Sequence, residues 1–328
     1  MHLPHPFYKF PFRFDVERLR AEIDALPEEA WLWHVQGFAG NSHLPLISTH
    51  GESNNRVEPP MRPTEYLKRS PYIQQVFAQF KTLHGRARLM RLEPGHGVPS
   101  HVDMKYYWRT RTRVHIPVIT HPDIRFHCGG ATVHMAEGEA WTFDNWRMHE
   151  VVNDTGTRRI HLTLDTLGGS EFWSLARPAG EAVEEPALVP FRPEQTVELQ
   201  YESYIGGPVM PPGEVALELG RLASDVAANP QNDPQEVARL RAFIASVCHE
   251  WDVLWYGQGP VPEAVARFRG LMQQAHGAAQ AIPPTLTFAS NGRPVLEGMT
   301  SVFAAMVKDP QAPGEPDRAR GEAVTQAT

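Results

Sequence analysis

The chain has 328 residues, a net charge of −7 and 41% hydrophobic residues, with 8 Trp, 8 Tyr and 15 Phe, which is apolar material for one large or two modest globular domains. No basic block interrupts the charge, which argues against a nucleic-acid partner, and two cysteines, Cys128 and Cys248, cannot build a disulfide framework or a thiolate zinc site. The opening MHLPHPFYKFPF lacks a basic patch followed by an apolar run, and no stretch is long enough to span a bilayer. A cytoplasmic protein is therefore expected, with Asn153-Asp154-Thr155 a turn and not a glycosylation site.

Asp15 to Leu26 carries apolar residues at Val16, Leu19, Ile23 and Leu26, a helical repeat with Asp15 as its N-cap. From Gly37 to Pro63 no apolar period survives, which reads as loop or short strand. Pro63 to Phe80 resumes helical spacing; Ser70-Pro71 predicts a helix start with Ser70 capping. Arg86 to Leu92 alternates as RARLMRL, an extended pattern. From Pro94 to Asp165 the period is two, with a turn roughly every ten residues. This spacing predicts a mainly β fold, a sandwich or barrel, with flanking helices. Residues 171–212 read as a connector or wrapping arm, and 213–308 as a helical appendage with helices over Gly213–Asn229, Pro234–Tyr256 and Pro262–Ala279. From about Asp309 a disordered tail is expected. Residues 1–170 are expected to form one β-rich domain with the N-terminal helices.

Eight of the sixteen histidines lie between His96 and His161. In His101-Val102-Asp103 an imidazole and a carboxylate two residues apart on an extended segment share one side. His149, well beyond them at the end of an apolar run, supplies a third ligand. Two histidines and a carboxylate leave about three positions open on an octahedral ion, the arrangement of non-haem Fe(II) oxygenases. If Asn153 to Thr157 forms a hairpin pairing His149 with His161, Arg159 points the same way as His149 and Arg158 points away. Slipping that register by one exchanges the two arginines. Arg159 would then grip the far carboxylate of 2-oxoglutarate in a bidentate fork. Arg113, His115 and Pro117 share one parity, as do Arg159, His161, Thr163 and Asp165; a barrel with a polar interior or a sheet with one wet face both produce that pattern.

The order P-G-x-x-x-P-x-H-x-D (Pro94 to Asp103), R-V-H-I-P (Arg113 to Pro117), G-x-x-W-x-F-D followed by His149, Val151 and Asn153, and R-x-H-L (Arg159 to Leu162) resembles the aspartyl/asparaginyl β-hydroxylase family. The resemblance covers Arg86 to Leu167. It implies a double-stranded β-helix (jelly-roll, cupin-like) core, Fe(II) bound by His101, Asp103 and His149, and 2-oxoglutarate held by Arg159 with Arg113 and His115. It also implies a hydroxylase that consumes O₂ and releases succinate and CO₂. The family's animal protein hydroxylases carry glycine where Asp103 stands, whereas many bacterial relatives keep the acid. The complete triad makes Asp103 a ligand by this resemblance and weakens a transfer of the animal enzymes' protein substrate to this chain.

An amino-acid-like, peptidyl or acidic small-molecule substrate is the family-level expectation. Tyr106 and Trp108 are expected to border it, with Arg109, Arg111 or Arg125 taking its carboxylate. Trp146, beside His149, is read as pocket wall or core, and Trp141 as core. Asp144 and Asn145 are expected to stabilise the turn before His149. His96, His121, His127 and His134 read as turn or surface residues, and Cys248 as packing. The helices beyond Gly207 either lid the barrel mouth or build a homodimer. Two alternatives stay open: a cupin-like metal enzyme that does not use 2-oxoglutarate, and a non-catalytic 2-oxoglutarate or metal sensor or scaffold.

Overall fold

A computed structural model describes residues 2–33, 38–181, 186–204 and 206–308. These form two compact units: the residues up to His101 together with those from Thr110 to 204, and Val102–Arg109 together with the residues from Gly206 onward. The tail expected beyond Asp309 lies outside the described residues.

The first unit is built on two antiparallel sheets. Its strands are β1 (Phe7–Phe14), β2 (Asn41–Thr49), β3 (His84–Leu92), β4 (Val98–His101), β5 (Thr112–Ile119), β6 (Arg125–Cys128), β7 (Ala131–Val133), β8 (Glu139–Phe143), β9 (His149–Val152) and β10 (Arg159–Thr166). The larger sheet runs β1-β8-β5-β10-β3-β2, with short strands extending its edges; the smaller runs β4-β9-β6-β7. This is the mainly β, jelly-roll class expected from the sequence.

Alternation explains the larger sheet. On β10, Ile160, Leu162 and Leu164 join Leu89 of β3 and Val114, Ile116 and Val118 of β5 in a core that also takes Leu19, Ile23, Ile73, Val76 and Phe77 from two helices. Burying each such aliphatic side chain contributes about 1.5–3 kcal/mol. The opposite residues of the same strands face the interior, where a second cluster gathers Phe126, Phe143, Met135, Val151 and Leu92.

The helices are α1 (Val16–Asp24), capped by Asp15 as predicted, and α2 (Pro71–Ala78). Ser70 does not cap α2, because its hydroxyl donates to the Tyr66 carbonyl. The buried carboxylate of Glu22 accepts instead from the backbone N–H groups of Tyr72 and Ile73, at 2.8 and 3.0 Å. The stretch read as loop or short strand holds β2, nine residues buried on both faces. The connector region contributes Phe172 and Leu199 to the same core.

The second unit contains α3 (Pro212–Ala227), α4 (Pro234–Gln258), α5 (Val265–Ala279) and α6 (Val295–Met306). The first three match the sequence expectation within a few residues. The fourth was not anticipated, although Val295, Met299, Val302, Phe303 and Met306 carry a helical period and are buried. Among the described residues no helix is long and apolar enough to cross a membrane.

Candidate functional site

Strands β4 and β9 pair antiparallel with His149 opposite His101, which brings the two imidazoles to a centroid separation of 4.1 Å. Asp103 follows two residues after His101, at the centre of a tight turn in which the Met104 N–H donates to the Val102 carbonyl at 3.0 Å, so the extended segment expected through His101-Val102-Asp103 ends at His101. One donor atom from each of His101, Asp103 and His149 lies within 4.8 Å of the others. His149 is buried, and His101 and Asp103 are half-buried.

The donor set fits a divalent ion in one further respect. Nδ1 of His101 lies 2.8 Å from the Pro99 carbonyl, and Nδ1 of His149 lies 2.8 Å from the Arg147 carbonyl. A carbonyl only accepts, so each Nδ1 donates, and in the neutral ring the lone pair is then on Nε2. Metal-binding histidines are oriented by hydrogen bonds of this kind. Phe126 and Phe143 pack against the His149 ring, with centroids at 6.3 and 4.8 Å.

A second group of polar side chains lies on the inner face of the larger sheet. The register sets Thr163 opposite His115, Asp165 opposite Arg113 and Leu92 opposite Arg159. Arg159 is 6% exposed. Its one hydrogen bond is from an Nη to His161 Nδ1 at 3.0 Å, and among the described residues no carboxylate pairs with it. Burial alone pushes its guanidinium down to about 9, leaving a cation at neutral pH. Because His161 Nδ1 accepts, its proton sits on Nε2, and that buried atom has no partner. The rings of His115 and His161 are held well below their ordinary value by burial first and by the Arg159 charge second, so both are neutral. Arg159 and His161 line a cleft with Thr120, Ile124, Arg125, Phe126, Met135 and Val151.

The strand pairing used to select Arg159 is not the one observed. β9 pairs with β4 and β6, and β10 pairs with β3 and β5, so His149 and His161 lie in different sheets. The parity of β10 still holds: Arg159 is buried, whereas Arg158 is exposed and pairs with Glu93 at 3.0 Å. His161 was missed as a site residue, and its signal was parity with Arg159 two positions on.

The remaining expectations divide. Arg113 shares the inner face but is held by Asp165, with Nε and an Nη at 2.6 and 3.1 Å from its two oxygens. Burial would raise the Asp165 carboxyl, yet Arg113 and Arg86 hold it well below the usual carboxylate range. Arg111 makes a two-point contact with Glu202 at 3.0 and 2.6 Å. Tyr106 donates to Glu214, and Arg109 donates to Glu218 at 2.7 Å. Trp108, Trp141 and Trp146 are all buried, with Trp141 in the inner cluster donating to Glu139 at 2.9 Å. Arg125 lines the Arg159 cleft and is partly exposed. Asp144 organises the turn before His149, accepting from Trp146 N at 3.0 Å, Arg147 Nε at 3.0 Å and Leu3 N at 3.1 Å. Asn153 closes the following turn, accepting from Thr155 and donating to Thr157.

Residues 15–168 match the family model described as aspartyl/asparaginyl beta-hydroxylase. Over that stretch, a little under half of the chain, the sequence is similar to this family. The matched segment spans His101, Asp103, His149, Arg159 and His161, and the four C-terminal helices lie beyond it. No curated protein matches the sequence. Among solved structures, a 2OG-Fe(II) oxygenase family oxidoreductase from Burkholderia pseudomallei is 15% identical, with 50% of this chain and 82% of that one covered and a TM-score of 0.34. A prolyl-4-hydroxylase from Pseudomonas putida is 14% identical over 51% and 95%, with a TM-score of 0.35. HygX from Streptomyces hygroscopicus, crystallised with nickel and 2-oxoglutarate, is 12% identical over 51% and 84%, with a TM-score of 0.36. Such scores describe a partial likeness of fold.

Proposed function

We propose that this chain is an Fe(II)- and 2-oxoglutarate-dependent oxygenase that hydroxylates a C–H bond, with His101, Asp103 and His149 as the iron ligands. The observation that carries the reading is the ligand geometry: two imidazoles presenting Nε2 beside a carboxylate, donor atoms within 4.8 Å, in a β-hydroxylase segment. When bound, the metal supplies the O₂ activation that couples decarboxylation of 2-oxoglutarate to oxidation of a substrate.

The chain's own residues supply binding and exclusion of water. Arg159 takes the distal carboxylate of 2-oxoglutarate with the N–H groups not given to His161, in the bidentate mode for which guanidinium is suited. The Nε2–H of His161 offers a further donor in the same cleft, from a ring that stays neutral. Phe126 and Phe143 cover the His149 ring and keep water from its buried side. Arg113 supports the inner face through Asp165. For the substrate, an amino-acid-like or acidic small molecule, Arg125 is the candidate carboxylate anchor, being partly exposed at the cleft.

The test is succinate formation from 2-oxoglutarate after anaerobic loading with Fe(II) and admission of air, with and without candidate amino-acid substrates. Slow uncoupled succinate release that disappears in His149→Ala is the expected result. No release, or release unchanged in that variant, removes the oxygenase reading and leaves a binding protein.

A further inference from the structure

The loop that carries Asp103 belongs, by its packing, to the helical unit: Val102–Arg109 group with the residues from Gly206 onward. Two side-chain contacts join the loop to α3 within that unit. Tyr106 donates its hydroxyl to Glu214, and Arg109 donates Nε to Glu218 at 2.7 Å. The two carboxylates stand four residues apart on α3, hence on one face. The two side chains they take stand three apart on the loop, the second of them in the short helix Tyr107–Thr110.

Glu218 is 2% exposed, and it also accepts from Arg221 at 2.8 Å. Burying a carboxylate in a helix is unfavourable unless it is paired and hydrogen-bonded, so this position is committed to its arginines. From Lys105 to Arg109 the loop is stiffened by backbone bonds from Trp108 N to the Lys105 carbonyl and from Arg109 N to the Tyr106 carbonyl, each 2.9 Å; Asp103 itself is spanned by the bond from Met104 N to the Val102 carbonyl at 3.0 Å, and Trp108 is buried. A displacement of Tyr106 or Arg109 is therefore passed along a short, internally bonded segment to Asp103, three residues before Tyr106.

We propose that Glu214 and Glu218 are positioning residues for the carboxylate ligand: through Tyr106 and Arg109 they hold Asp103 in place, so metal affinity depends on the C-terminal helical unit. The inference rests on the reading of His101, Asp103 and His149 as a metal site and adds the device that aims one of the three ligands. The helices beyond the β-hydroxylase segment thereby acquire a role at the site without supplying a ligand.

The test uses Ni(II) as a redox-silent probe, titrated calorimetrically into the full-length protein up to millimolar metal. Wild type binds one equivalent and His149→Ala loses it; failure of either result overturns the metal site itself. Glu218→Gln weakens Ni(II) binding about tenfold, the scale of an outer-shell substitution. The same change has no further effect in an Asp103→Ala background, and the exchange Arg109→Glu with Glu218→Arg restores part of the affinity. Unchanged Ni(II) affinity in Glu218→Gln overturns the proposal, as does an equal loss with and without Asp103, which marks a general structural role. If Glu218→Gln fails to fold by circular dichroism, Tyr106→Phe serves the same cycle. It removes one hydroxyl, with a loss of roughly threefold expected only when Asp103 is present.

Discussion

Two arginines reach the same interior from adjacent strands and meet different surroundings. Arg113 on β5 finds Asp165, which also draws Arg86 at 3.3 Å, while Asn55 accepts from both Arg86 and Arg88 at 2.9 and 2.7 Å. Among the described residues, Arg159 on β10 finds only an imidazole nitrogen. The first guanidinium is neutralised by the fold, and the second has been desolvated with its charge uncompensated. A buried cation that the chain itself does not satisfy is costly to keep, which is the physical ground for assigning it an anionic ligand.

The largest effect should come from breaking the satisfied end. Asp165→Asn leaves Arg113 and Arg86 buried around a neutral amide and should destabilise by about 3–5 kcal/mol, read from denaturant unfolding. Next, Arg159→Met should invert that pattern: stability unchanged or slightly higher, but 2-oxoglutarate affinity down roughly 100-fold in a binding titration, the loss of about two charge-assisted hydrogen bonds. A clear loss of stability with affinity intact would show the two arginines to be alike after all.

A smaller effect is expected at acid pH. The folded-state values of His115 and His161 lie below those of the unfolded chain, so the unfolded state takes up protons that the folded state refuses. Stability is therefore full above about pH 6.5 and falls as pH drops below it, by up to about 1.4 kcal/mol per pH unit for each ring. His161→Phe should flatten that limb in unfolding measurements across the range, and an unchanged slope would mean that its ring titrates in water. Least of all, Arg158→Ala should cost under about 0.5 kcal/mol and leave 2-oxoglutarate binding alone, since its pair with Glu93 is exposed.

The separation of Arg159 from Arg158 was legible in the sequence because side chains alternate along β10 whatever it pairs with. The pairing itself was not, since a short turn after His149 suggests a hairpin, and only the tertiary structure sends β9 and β10 to different sheets. The His101-Val102-Asp103 pair was read from extended parity, but the strand ends at His101 and Asp103 lies in the turn that follows. β2 was not legible: NSHLPLIST is buried on both faces and so shows no alternation, and a proline within it argues against a strand. The capping of α2 by Glu22, and the hold of Glu218 on Arg109, join residues about 50 and 109 positions apart. No local pattern announces such contacts, although a buried carboxylate on a helix face is their trace once coordinates exist.

Each ligand imidazole leans on a carbonyl two residues upstream in its own segment, Pro99 for His101 and Arg147 for His149. Ring orientation is thus written into the local main chain, so departure of the ion need not free the rings to rotate. On the proposed metal reading, an apoprotein built this way would meet its ion with both rings already set by the main chain. On that reading, metal uptake should need no refolding of the strands.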